Sequence, residues 1–360
     1  MGMAEVYYTD ENIKNLKRIY DQNSRKQYVR LDLNENPGGL DENFIEQTLK
    51  EITPRLISEY PETLEFSQSL ADYLKVDLEN ICLVNGSSEG IRYIIEIFTC
   101  VGGKILGVVP TYAMFEVYSK MYGREFVTVS YTDELEMPIE NILSAMTPDI
   151  QLLILVNPNN PMGNAYSEKN IKKIIKKAKE NEITILIDEA YHYFYPNTFL
   201  KYALNEENIF VTRTFSKLFS LAGLRLGYVV GKKDGIKLVQ KLCTPHNVNA
   251  VAMLFAQRII EKPEIIDELI EKHKFGRAYL ISELEKNSYQ YKGENGNFIF
   301  IRPKTDADEI VDIMRKKYGI LIKSYDGIGR FGKCLRVTTA EKKYMEKFVT
   351  ALLEIEKSIN

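Results

Sequence analysis

The chain has 360 residues, 45% apolar and 27% charged, with a net charge of -3, which suits one large or two medium soluble domains with a sizeable core. That balance gives no global basic field for nucleic acid, and no apolar run reaches the roughly 18 residues of a membrane-crossing helix. Three histidines and four scattered cysteines, none in a Cys-x-x-Cys pair, offer neither a metal site nor a disulfide framework.

The cysteines (Cys82, Cys100, Cys243 and Cys334) fit a reducing, cytoplasmic setting. The first ten residues lack a basic start followed by an apolar core, so no secretory signal is expected. Val6 stands where a myristoylation signal beginning at Gly2 needs serine or threonine. Residues 1–45 read as one helix followed by the extended Leu31-Asp-Leu-Asn-Glu-Asn-Pro37. They are too short for a core of their own and are expected to pack on the C-terminal part as an arm.

Residues 46–262 alternate short apolar runs with helical patterns. Strands are expected at Ile81–Val84, Lys104–Val109, Glu125–Val129, Leu152–Val156, Thr184–Ile187, Ile209–Thr212 and Leu226–Val230. Several are continuous β-branched and leucine runs, as in strands buried on both faces. Amphipathic helices such as Glu89–Phe98 and Glu168–Asn181 lie between them. The rhythm predicts an α/β fold with a doubly wound, mostly parallel seven-stranded sheet. The lysines of Lys172-Lys173-Ile-Ile-Lys176-Lys177 read as the solvated face of one such helix. Residues 263–360 read as a smaller α+β domain. It has two long helical stretches, strands near Phe298–Ile301, Ile320–Ile322 and Cys334–Val337, and a last helix over Lys342–Lys357.

Several segments carry chemistry. Asn85-Gly-Ser-Ser-Glu-Gly90 follows a strand and opens a helix, so Gly86, Ser87 and Ser88 suit either an anion site or an ordinary serine N-cap. Val156-Asn-Pro-Asn-Asn-Pro-Met-Gly163 puts Asn157 at the carboxyl end of a strand, where open α/β sheets bind ligands. Asp188, at the end of another strand, is a carboxylate that needs a partner when buried. A pyridinium nitrogen would serve, and a helix N-cap is the alternative. Tyr191 can reach the same pocket or pack in the core. Thr214-Phe-Ser-Lys217, with Arg225 eight residues after the lysine, places an amine, two hydroxyls and a guanidinium in one short segment. A lysine amine makes a Schiff base with an aldehyde, while hydroxyls and a guanidinium hold phosphate. An aldehyde and a phosphate together describe pyridoxal 5'-phosphate (PLP); the alternative is a basic surface loop. Gly327-Ile-Gly-Arg-Phe-Gly332 matches G-x-G-x-x-G but leads into a strand, so it reads as a flexible loop rather than a nicotinamide site.

These motifs, together with Leu-Asn-Glu-Asn-Pro37, Glu-Tyr-Pro61, Pro-Thr-Tyr112, Arg-Thr-Phe-Ser-Lys217, Leu-Ala-Gly-Leu-Arg225 and Leu-Arg336, occur in one family's order over almost the whole chain. The chain resembles the fold-type I, class I/II PLP-dependent aminotransferases, and within them the histidinol-phosphate aminotransferase subgroup. The resemblance implies an enzyme with a 2-oxo acid as amino acceptor and a small amino acid or phosphorylated amine as donor. It implies that Lys217 forms the Schiff base and later moves the proton, that Asp188 pairs with the ring nitrogen, and that Tyr112 stacks on the ring. Asn157 and Tyr191 would contact the ring oxygen. Gly86, Ser87, Ser88, Thr214, Ser216 and Arg225 would hold the phosphate. Tyr60 would reach the phosphate of the other subunit in a homodimer with composite sites. Arg336, Lys323 and Asn36 would face the substrate, Arg336 binding an anionic group. Related threonine-phosphate decarboxylases share the cofactor motifs, so decarboxylation of a phosphorylated amino acid is the alternative activity. The chain departs from the subgroup in two places. Gly38-Gly39 follows Pro37 where a tyrosine is usual. Lys323 stands where a second arginine is usual, and lysine lacks the bidentate fork.

Overall fold

Continuous β-branched and leucine runs become a buried seven-stranded sheet in the computed structural model. The model describes residues 9–16 and 24–359; Gly2 and Val6 lie outside them. The strands, in chain order, are β1 (Val29–Arg30), β2 (Ile81–Val84), β3 (Lys104–Val109), β4 (Glu125–Ser130), β5 (Ile150–Val156), β6 (Thr184–Asp188), β7 (Ile209–Thr214) and β8 (Gly227–Val230). They continue with β9 (Gln290–Lys292), β10 (Phe298–Arg302), β11 (Ile320–Leu321), β12 (Lys323–Ile328) and β13 (Gly332–Thr338).

The large sheet has the order β2-β8-β7-β6-β5-β3-β4. Neighbours from β7 through β6, β5 and β3 to β4 are parallel, and β8 alone runs against both β7 and β2. All seven expected strands form, with ends moved by at most two residues. Alternate residues feed two cores. Leu153, Leu155, Ile185, Ile187, Ile209 and Val211 face one cluster, while Leu152, Ile154, Leu186 and Phe210 face the other. This two-sided burial is why the strands read as unbroken apolar runs.

Helices follow most of the strands. Glu168–Glu180 buries Ile171, Ile174, Ile175 and Ala178 at helical spacing and starts at Ser167, whose hydroxyl accepts from the Asn170 amide. Lys172, Lys173 and Lys176 lie on its exposed face, as expected.

A four-stranded antiparallel sheet, β12-β13-β10-β9, forms later in the chain. Its core includes Leu280, Ile299, Leu335 and Phe348 from the helices Pro263–Lys286 and Lys342–Ile359 and their strands. Leu31 joins that core, and β1 pairs in parallel with β11. Gly329–Phe331 turn the chain from the end of β12 into β13, so a strand and not a helix follows this glycine segment, as expected. All four cysteines are free thiols. Cys82 and Cys243, 161 positions apart, meet with their sulfurs 3.4 Å apart, because β2 and the end of helix Lys233–Leu242 share one core.

Candidate active site

Strands β2, β5, β6 and β7 all end at one edge of the large sheet, and reversed β8 begins there. That edge gathers Gly86, Asn157, Asp188, Lys217 and Arg225. In open α/β sheets this is where ligands bind.

One side of the edge is built for an anion. Gly86 caps the helix Ser87–Phe98 with φ +76 and no side-chain bond to the first turn, so the serine N-cap alternative does not form. The Glu89 amide donates to the Gly86 carbonyl at 3.0 Å, which leaves the Ser87 and Ser88 N–H groups for an anion. A Cβ on Gly86 would strike the Arg225 guanidinium, and one on Gly227 would stand 2.6 Å from the Ser87 amide nitrogen. Both glycines let the cradle close. Arg225, itself at φ 57, donates to the Ser216 hydroxyl at 3.3 Å. The Thr214 hydroxyl donates to Ser216 Oγ at 3.0 Å and accepts from the Ser216 amide at 3.1 Å. Ser88 Oγ lies 3.3 Å from the Tyr112 hydroxyl, and the half-buried Tyr112 ring packs edge-on against Phe115.

The centre holds the titratable groups. Lys217 Nζ donates to the Leu33 carbonyl at 3.0 Å and lies 5.7 Å from the centroid of the Tyr191 ring. Burial, then the Arg336 guanidinium, lower the Lys217 pKa to about 8. Asp188 is buried at 4% exposure. It accepts from Thr212 Oγ1 and the Ala190 amide, each at 3.2 Å. Burial outweighs those bonds and raises its pKa to about 6. A carboxylate in that state is short of a cation. Its chain neighbour Glu189 is fully engaged by Arg213, Thr198 and the Phe199 amide, so it leaves none to spare. Asn157 is buried; its Oδ1 accepts from the Tyr166 amide at 3.0 Å, while its Nδ2 has no acceptor among the described residues. Tyr191 is buried, which pushes its phenol up, and its hydroxyl accepts from Asn34 Nδ2 at 2.9 Å.

On the substrate side, Arg336 is buried on β13. Its Nη1 donates to Asn160 Oδ1 at 3.1 Å, its Nη2 donates to the Asp32 carbonyl, and its Nε has no partner among the described residues. Lys323 on β12 stands directly opposite Arg336 in the strand pairing. Asn36 lines the small cavity beside Lys217, but its amide is turned to Ser220 Oγ at 2.7 Å and its Oδ1 to the Gly38 amide. Arg330, near Lys323 in sequence, is a surface ion pair with Glu134 at 2.8 Å rather than a third anchor. Tyr60 is 79% exposed and stacks on His246, with ring centroids 4.5 Å apart.

Residues not singled out in the sequence also shape the site: Asn34, the Leu33 carbonyl, Asp32, Asn160 and the Tyr166 amide. Only Asn34 carried a signal. It lies in the same Asn-Glu-Asn motif as Asn36, and nothing in that motif says which asparagine turns inward.

PLP fits this edge on three observations: a buried carboxylate with no ion pair and a buried amide N–H with no acceptor, both among the described residues, and a helix start whose glycine admits an arginine. These features and the fold define a fold-type I PLP-dependent enzyme. The Aminotransferase class I and II family matches residues 26–352, and the chain belongs to that family. A histidinol-phosphate aminotransferase of Thermoanaerobacter sp. (strain X514) is 31% identical over 350 residues, covering 96% of this chain and 97% of that one. The fold is shared with the histidinol-phosphate aminotransferase of Sinorhizobium meliloti solved in complex with pyridoxal-5'-phosphate, with TM-score 0.88, 22% identity and 99% of both chains covered. It is also shared with L-threonine-O-3-phosphate decarboxylase from Porphyromonas gingivalis, with TM-score 0.76, 22% identity, and 91% of this chain and 99% of that one covered. The chain is a PLP-dependent aminotransferase.

Proposed function

We propose that this aminotransferase takes a small phosphorylated amine or amino acid as donor, in the manner of histidinol-phosphate aminotransferases, with a 2-oxo acid as acceptor. The carrying observation is the pair Arg336 and Lys323. They face each other across β12 and β13, and burial, followed by Arg336, lowers the Lys323 pKa. Lys323 makes no ion pair among the described residues. Two neighbouring cations with donors to spare suit an anion carrying more than one charged oxygen.

Bound PLP supplies an electron sink for breaking a bond at the substrate Cα. The chain's own residues do the rest of the work. Asp188 would be the ion-pair partner that keeps the ring nitrogen protonated. Asn157, Tyr191 and Tyr112 would orient the ring. Gly86, Ser87, Ser88, Thr214, Ser216 and Arg225 would hold the phosphate. Lys217 would attach the cofactor. With its pKa lowered to about 8, roughly a tenth of its free amine is neutral at pH 7, and that form can accept the Cα proton. Arg336 fixes the anionic end of the substrate, and Asn36 braces the N-terminal segment beside it.

The working unit is a homodimer in which Tyr60, exposed on its own chain, reaches the partner's phosphate site. Exposed Ile57 and Leu64 beside it support that assignment. The enzyme works in the cytoplasm without nucleic acid or membrane partners. The described residues up to 45 form an arm with part of the small domain, residues 46–262 the cofactor domain and the described residues from 263 onward the small domain. The core that unites Leu31 with the late helices supports this division.

A screen of phosphorylated and plain amino donors with 2-oxoglutarate, following both glutamate and carbon dioxide, tests the reading. Glutamate formation with a phosphorylated donor is expected. Carbon dioxide release without glutamate would overturn transamination. Lys323→Ala should weaken phosphorylated donors at least tenfold more than plain ones, and equal weakening would remove the phosphate from the proposal.

A further inference from the structure

Cys82 is the second residue of β2, which runs directly into Asn85 and the Gly86 cradle. Cys243 is the residue just after helix Lys233–Leu242. Their sulfurs are 3.4 Å apart and both cysteines are free thiols. That is van der Waals contact, and closing a disulfide of about 2.05 Å needs a sulfur approach of only about 1.4 Å. The two residues differ in access. Cys82 is buried, whereas Cys243 is half-exposed. The Cys82 thiol bonded to Cys243 holds the Cys243 pKa below its ordinary value. The same bond, with burial, pushes Cys82 up. The surroundings hold the pair in place. Asn247, four residues after Cys243, donates to the Leu83 carbonyl at 3.0 Å and to Glu89 at 3.2 Å, and His246 stacks on Tyr60.

We propose that Cys82 and Cys243 form a reversible oxidation site, closing to an intrachain disulfide when the folded enzyme meets a hydroperoxide. The steps balance. The half-exposed Cys243 thiolate attacks one peroxide oxygen, the O–O bond breaks, and the departing hydroxide takes a proton as water. The Cys243 sulfenic acid is then attacked by the Cys82 sulfur. The S–O bond breaks, a second water leaves with the Cys82 proton, and the S–S bond forms. Two electrons from the two sulfurs have reduced one peroxide to two waters. A dithiol reductant reverses the reaction by two exchanges. Proximity makes the second step intramolecular, so Cys243 is diverted to the disulfide before it can oxidise further. The product ties the strand beneath the phosphate cradle to the segment that carries His246. Exposed Cys100 lies elsewhere, bonded to Gln151, and Cys334 is buried in another core cluster.

The test uses the full-length holoenzyme carrying Cys100→Ser, so that exposed thiol cannot cross-link chains. It is treated with one equivalent of hydrogen peroxide, alkylated in denaturant and mapped by mass spectrometry. The expected result is a peptide joining Cys82 to Cys243, a loss of about 2 Da from the intact chain by the two protons removed, and only Cys334 left to alkylate. Dithiothreitol should restore all three thiols. Adding Cys82→Ala should leave Cys243 as sulfenic acid after one equivalent and as sulfinic acid once a second equivalent is supplied. A Cys243 that reaches sulfinic acid while Cys82 stays alkylatable would overturn the proposal. So would a disulfide found only between two chains.

Discussion

Asp188→Asn separates what the site needs from what the fold prefers. In the protein without cofactor, the Asp188 pKa is raised from 3.8 to about 6, with burial as the largest cause. The sign follows from proton binding. Below about pH 4 the carboxyl is protonated in both folded and unfolded chains and contributes no difference. Between about 4 and 6 the folded chain binds the extra proton, so stability falls as pH rises, and above about 6 the full penalty is present. A shift of about two units corresponds to about 3 kcal/mol. Asparagine keeps an acceptor for Thr212 Oγ1 and the Ala190 amide but carries no charge. Urea unfolding of the apoprotein should therefore show Asp188→Asn more stable than the parent by about 2–3 kcal/mol at pH 7. That advantage should vanish near pH 4. The same variant should lose on the order of 10²-fold in kcat, because the ring nitrogen loses its ion-pair partner. An apoprotein variant no more stable at pH 7, or one whose advantage ignores pH, would refute the burial argument. A near-parental kcat would make Asp188 a structural residue.

Borohydride reduction of the holoenzyme followed by peptide mapping should place the phosphopyridoxyl group on Lys217, and a label on another lysine would displace it. Gly86→Ala combines strain at φ +76 with collision against Arg225. The strain of about 1–2 kcal/mol burdens free and loaded protein alike and lowers stability, while a disturbed charged hydrogen bond of about 1.5–3 kcal/mol should weaken PLP binding roughly 10- to 100-fold, read by titrating apoprotein. A change under threefold would mean that the arginine does not hold the phosphate. Arg336→Ala should raise the KM for the donor at least tenfold by losing a charged hydrogen bond of about 1.5–3 kcal/mol. Unchanged KM would free the substrate from Arg336. Mixing Tyr60→Phe with Lys217→Ala protein should yield more activity than the separate variants sum to, if each site takes residues from both chains; strict additivity would argue for self-contained sites.

The large sheet was legible because strands buried on both faces must be apolar at every position, which leaves runs such as Leu152–Val156 with no other comfortable fate. Loop motifs were legible where chemistry restricts the residue: Gly86 must accept positive φ, and Asp188 ends a strand with a charge. Direction was not legible. β8 has the same apolar character as its parallel neighbours, and the link from β7 is long enough for either direction. Long-range meetings also left no trace, since Cys82 and Cys243 look like two isolated buried cysteines until β2 and the helix before Cys243 are packed together. Asn34 and Asn36 differ only in which way the chain turns between them. Carbonyls such as that of Leu33 carry no residue identity at all. Arg330 is near Lys323 in sequence, yet the hairpin turn carries it to Glu134.

The reversal of β8 has a mechanical consequence. The chain leaves the sheet edge at Thr214 and re-enters it at Gly227, residues that sit side by side in the β7–β8 register. A parallel β8 would have to start at the opposite edge, after a crossover of a dozen or more residues. Here the excursion starts and finishes at one hem of the sheet. The amine of Lys217 and the guanidinium of Arg225 therefore ride on a single stitched loop whose two feet are pinned together. In the proposed assignment tethering and gripping are geometrically yoked, so a shift of that loop moves both side chains together.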